Sequence, residues 1–176
     1  MHSKSFDDWT KHYLAGKDAE ADEDWKEVVR IAGPEALLRE LLRQTLQRMD
    51  FLEGDPNNPR RGFVILMITL ARSTEKAVGK NSWRLKEVYD YAADMCEYGK
   101  DFQNAVDLRQ KQLDLESEHW GKNNRRICST LSDLADELIS IKQYTKAQAV
   151  IDRLKSISNM EKDIRMQQKA SSLSKL

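Results

Sequence analysis

With only two cysteines, three prolines and seven glycines in 176 residues, the chain lacks the raw material of several protein classes. Cys96 and Cys128 are too few and too far apart in sequence for a disulfide framework, which fits a reducing compartment. The three histidines, His2, His12 and His119, are scattered. None has a second histidine or a cysteine at metal-ligand spacing, so no metal site is predicted. Neither cysteine neighbours a histidine in sequence, and the glycines stand singly, without a phosphate-cradling loop. The reading is therefore non-enzymatic, with no catalytic residue and no cofactor.

Long apolar runs are also missing. The longest, "FVILMITLA" from Phe63 to Ala71, falls far short of the roughly 20 residues that a bilayer core demands, and reads as a buried helix. "MHSKSFDDWTKHYLAG" places charges where a secretory leader needs an apolar segment, which predicts synthesis and folding in the cytoplasm. Nor is there an excess of either charge. Lysine and arginine number 29, as do aspartate and glutamate, so neither nucleic acid nor a membrane surface is an expected partner.

What remains is charged and helical in pattern. A third of the residues are charged and 40% apolar, the balance of soluble helices with narrow apolar stripes. No proline follows Pro59, and Gly79, Gly99 and Gly121 punctuate that stretch as helix breaks. Helices are predicted from about Asp7 to Leu14, Glu23 to Ile31, Pro34 to Leu52, Arg61 to Lys76 and Asn81 or Ser82 to Tyr98. Further ones follow at Phe102 to Trp120, Asn124 to Lys142 and Tyr144 to Ser158, the last with a polar extension toward Gln168. Asn81 or Ser82 is the expected cap of its helix, and the acidic run "KDAEADEDWKE" reads as a solvated loop leading into its own. The fold class is all-α. Four segments result: an acidic N-terminal segment (1–33), a helical hairpin or degenerate repeat (34–80), a repeated region (81–158) and a polar tail (159–176).

The repeat emerges when the sequence is slid by 42 residues. Ala93 falls on Ala135, Asp94 on Asp136, Lys100 on Lys142 and Ala105 on Ala147. Apolar character is kept at Leu85/Ile127, Tyr89/Leu131, Ala92/Leu134, Cys96/Leu138, Phe102/Tyr144, Leu108/Val150 and Leu115/Ile157. Small residues let two helices approach, and an aromatic opening the second helix is placed to plug the turn. By this correspondence Cys96 is a buried core residue, since its counterpart is Leu138.

With Ala93, "GKDF", Ala105 and "WGKNN" in the first unit, and Ala135, "IKQY" and Ala147 in the second, the chain resembles a tetratricopeptide repeat protein. The likeness is to the 42-residue kinesin light chain variety, over about residues 82–158. It departs from the family at Arg109 and Gln112, where bulky and small packing residues are usual. Each repeat also has one extra residue before the turn aromatic, Asp101 and Gln143. The resemblance implies antiparallel helical hairpins stacked as a short array; the alternative is an irregular helical bundle. Trp83 and Trp120 become packing pegs at hairpin junctions, and Trp9 and Trp25 cap the end of the array.

The resemblance further implies a groove lined by the first helix of each hairpin: Glu87, Asp90, Asp94, Glu97 and Tyr98, then Ser129, Ser132, Asp136, Ile139 and Ser140. Carboxylates three and four residues apart share a helix face and repel one another, so a basic peptide or helix is the expected ligand. Family members that hold a chaperone's terminal carboxylate use cationic and asparagine side chains there, which excludes that role. The functional expectation is an adaptor or scaffold, with a self-associating structural protein or a small regulatory subunit of an enzyme as alternatives. Oligomeric state is left open. Finally, Ser174, Lys175 and Leu176 match the tripeptide read by the peroxisomal import receptor. The receptor would then be a second partner and the peroxisome the destination, with the cytoplasm as the alternative.

Overall fold

The computed structural model describes residues 8–9, 11–12, 15–32 and 59–173. The helix expected from Pro34 to Leu52 and the terminal tripeptide lie outside them. Among the described residues the protein is all-α, with six α-helices and no strand. These are α1 (Asp18–Ala32), α2 (Pro59–Val78), α3 (Leu85–Tyr98), α4 (Phe102–Trp120), α5 (Cys128–Ser140) and α6 (Tyr144–Leu173), with a 3-10 turn at Arg125–Ile127. No helix among them is long and apolar enough to cross a membrane. Two compact units divide the chain between Leu108 and Arg109, inside α4.

In the first unit, α1 packs on α2 and α2 on α3. Helix α1 starts at Asp18, five residues earlier than expected, and so absorbs the acidic run as its opening turns. Negative side chains there complement the partial positive charge of the helix N-terminus. Trp25, fully buried, donates its indole N–H to Thr74 Oγ1 at 2.8 Å, and Thr74 in turn donates to the Leu70 carbonyl. Trp9, 1% exposed, leans on Trp25 with ring centroids 5.0 Å apart. Asp22 accepts from Ser73 and from Lys76 on α2. Burial pushes the Asp22 carboxyl up, but those two hydrogen bonds and the Lys76 charge outweigh it, and its pKa falls below the ordinary value. Leu66, Met67, Leu70, Leu85 and Val88 complete the core, each contributing on the order of 1.5–3 kcal/mol by leaving water.

Helix α3 begins without the predicted side-chain cap; its N-cap is Arg84. Successive tight turns satisfy the backbone instead, with Ser82 N–H bonded to Gly79 O and Leu85 N–H to Ser82 O. At the other end, Lys100 takes φ 61°. Its N–H reaches Glu97 O at 2.8 Å, and Asp101 N–H reaches Cys96 O at 2.8 Å, the paired bonds of a Schellman motif. The same turn ends α5: Lys142 has φ 62°, and its N–H and that of Gln143 reach Ile139 O and Leu138 O. Asp101 and Gln143, the extra residues of the two repeats, therefore supply the longer hydrogen bond of each turn. Backbone bonds close both turns; of the two aromatics expected to plug them, Phe102 is half-buried and Tyr144 is 62% exposed. Left-handed φ usually selects glycine, yet Gly99 sits one residue early, at φ −76°. Its role is close approach, because a Cβ there would collide with Val64 Cγ2 of α2.

In the second unit, α5 and α6 form the packed pair, with Leu131, Leu134, Ala135 and Leu138 buried on α5 and Ala147 and Ile157 on α6. Helix α6 includes the extension expected beyond Ser158 toward Gln168 and continues to Leu173. No glycine or proline interrupts residues 159–173, whose Met, Glu, Lys, Gln and Ala favour helix.

Gly99→Ala is expected to lower stability by about 1–3 kcal/mol in chemical denaturation, the usual cost of overpacking. Adding Val64→Ala makes room for the new methyl group, so the double variant should lose less than the sum of the two single losses.

Candidate functional site

Helix α3 owes its orientation to one buried stripe: Leu85, Val88, Tyr89, Ala92, Ala93 and Cys96. Tyr89 fixes that face to α2 by donating its hydroxyl to Glu75 Oε2 at 3.0 Å. Burial, then the hydrogen bond to Glu75 and its charge, raises the Tyr89 pKa well above the ordinary phenol value. Glu87, Asp90, Asp94 and Glu97 follow one another at helical spacing on the other side of α3. Their exposure grows along the helix. Glu87, Asp90 and Asp94 are half-buried, Glu97 is exposed, and Tyr98 ends the row at 56% exposed. The stripe is not purely anionic, since Lys86 Nζ lies 2.8 Å from Glu87 Oε1.

Asp136, the remaining residue of the expected groove, belongs to the second unit. It is exposed on α5, and so are Ser129, Ser132, Ile139 and Ser140. That face carries hydroxyls and an aliphatic side chain around Asp136, so the four carboxylates brought together are those of α3.

Two arrangements were missed by sequence reasoning. One is an open depression of about 670 Å³ between α1, the end of α2 and the approach to α3. Val29, Ala77 and Val78 are its apolar lining, and Arg84 Nη2 donates to Val29 O at 2.9 Å while its buried Nε has no hydrogen-bond partner. Along its rim Arg30 chelates Glu27 through two 2.6 Å bonds and Lys26 stands 3.7 Å from Glu23. The recess thus keeps most of its charge paired within α1.

The other is a buried polar ladder in the second unit. Arg109, Gln112 and Glu116 on α4, with Thr130 and Glu137 on α5, are each only 1–2% exposed. Arg109 Nε lies 3.4 Å from Glu137 Oε1, and Arg109 Nη1 donates to Gln112 Oε1 at 3.0 Å. Gln112 Nε2 donates to Glu116 Oε1 and to Thr130 Oγ1, and the Thr130 hydroxyl donates to Glu116 Oε2 at 2.7 Å. Half-exposed Asp133 adds a third carboxylate 4.0 Å from Arg109. A signal was present: residues 109, 112 and 116 and residues 130, 133 and 137 share one spacing of three then four. Polar side chains on a single helix face in two successive helices mark a polar interface, although Arg109 and Gln112 looked like mere departures from a repeat.

Among the described residues no group of histidine, cysteine, aspartate and glutamate side chains is placed to hold a metal ion. His12 instead lies 2.6 Å from Asp24, and His119 meets the edge of Trp120. Compared with known protein families, curated proteins and solved structures, the chain matches none.

A raised phenol pKa means that the fold favours neutral Tyr89. Its contribution is intact below the ordinary value of 10.0 and is lost as pH rises beyond it, so stability should fall on the alkaline side. Absorbance titration is expected to show a late tyrosine step on the alkaline side of the ordinary phenol value. Tyr89→Phe should remove that late step.

Proposed function

We propose that this chain is a non-enzymatic, tetratricopeptide-like adaptor whose α3 face receives a basic peptide or helix from a partner protein. The observation that carries the reading is the row Glu87, Asp90, Asp94 and Glu97 along one helix face, ending in exposed Tyr98. Cationic side chains relieve the mutual repulsion of such a row, and an aromatic at its end offers apolar contact to their aliphatic stems. The tetratricopeptide-like part is supported by two Schellman turns 42 residues apart and by burial at matched positions such as Ala93/Ala135 and Ala105/Ala147. Self-association through the apolar run of α2 has less support. Val64, Leu66, Met67, Leu70 and Ala71 are already buried in the chain's own core, and Ile65 is the exposed member among those of the run whose burial is described. The ending Ser174, Lys175 and Leu176 further supports a peroxisomal destination for the adaptor.

Titration of a fluorescent lysine- and arginine-rich peptide should give saturable binding that weakens with salt. Asp90→Lys combined with Asp94→Lys should reduce affinity by roughly tenfold or more, as expected on reversing two interface charges. Affinity unchanged by that double substitution would remove the α3 face from consideration. For the address, a chain tagged at its N-terminus should enter peroxisomes, and the same chain without Ser174 to Leu176 should stay diffuse. Identical distributions would reject it.

A further inference from the structure

We infer that the seam between α4 and α5 is a parting line, along which the α5–α6 hairpin detaches from α4 as one cooperative unit within the native state. Of the five buried side chains on α4 between Arg109 and Trp120, three are polar: Arg109, Gln112 and Glu116, beside Leu113 and Leu115. The facing residues of α5, Thr130 and Glu137, are polar as well. Closing the seam takes the carboxylates of Glu116 and Glu137 and the guanidinium of Arg109 out of water together. Charge attraction in such a cluster offsets its dehydration only in part, and separation returns every member to water. An apolar seam gains nothing comparable when it opens.

Helix α5 also carries an apolar stripe. Leu131, Leu134, Ala135 and Leu138 are buried on the face adjoining Thr130 and Glu137, α5 packs along α6, and a tight turn at residues 141–143 leads directly from one to the other. Helix α5 therefore leaves α4 together with α6. Gly121, at φ 95° and with open space where a side chain would begin, starts the longer connection that can act as hinge. Arg153 of α6 is the outer clasp, donating to Lys122 O at 2.7 Å and to Ser117 Oγ at 3.2 Å. Part of this clasp is solvent-exposed, so releasing it exchanges protein partners for water at small net cost.

Native-state hydrogen exchange at low denaturant tests this on the wild-type chain. Amides of α5 and of residues 144–158 should exchange through one shared opening, faster than global unfolding allows and with weaker denaturant dependence. Replacing the charges by apolar groups of similar size, with Arg109→Met, Glu116→Leu and Glu137→Leu together, should slow that exchange by about tenfold or more. Arg109→Met alone, which strands the carboxylates, should speed it by about 100-fold. Exchange of these amides only through global unfolding, or a triple variant at least as fast as wild type, overturns the inference. If the triple variant does not fold, the wild-type profile decides by itself.

Discussion

The arrangement of the second unit rests on a buried ion pair set within a ladder of polar side chains. Arg109 meets Glu137 where both are almost wholly dry, and Glu116 is equally dry two turns along α4. Chains with this much charge and modest apolar content cannot fill every helix interface with leucine. Here polar side chains were admitted into one interface at a spacing that lets them satisfy each other. Register is what they supply in return. Arg109 faces Glu137 and Glu116 faces Thr130, so the helices run antiparallel with one alignment. Sliding α5 by a turn would separate the guanidinium from its carboxylate and leave charges unpaired, a far greater penalty than misaligning two leucines.

The first unit solves the same shortage with aromatic and close-packed contacts. Trp25 brings a large apolar surface and one donor to α2, and Thr74 accepts that donor, so the indole is buried without an orphan N–H. Gly99 lets the end of α3 touch Val64 directly. The left-handed position next to it is taken by Lys100, at a cost of roughly 1 kcal/mol or more in backbone strain. In α5, Ile141 stands where Gly99 stood, yet Lys142 keeps the same left-handed conformation. The strained lysine therefore belongs to the turn itself and not to the glycine before it.

These details explain which features could be read from the sequence. Helix type was legible because periodicity and the absence of proline after Pro59 agree over a long stretch. The ends of α4 and the start of α6 were legible too, since Gly99 and Gly121 and the two lysine turns mark them. Boundaries governed by charge were not. The acidic run before Trp25 resembles a loop by composition, but its carboxylates suit a helix N-terminus, and Asp22 gains partners on α2 that no local pattern contains. The α3 acidic row was legible as spacing along one helix. Its neutralising neighbour Lys86 was not, because adjacent residues on a helix point apart and only a long side chain reaches round. The polar ladder failed to register because its two halves make sense only when compared with each other, and a repeat pattern sets each against a different partner.

Charge placement also bears on how the α3 face would discriminate. Glu87 has Lys86 beside it and is less exposed than Glu97. Glu97 and Tyr98 are the exposed members of the row, so an approaching cation reaches that end first. Cations of the proposed ligand near that end would meet carboxylate and ring together, and cations over the first turn would meet a competing lysine. Polarity along the helix would thus favour one direction of a bound segment over its reverse, with its most basic part over Glu97 and Tyr98. Net charge alone cannot produce such a preference, because it requires an uneven row.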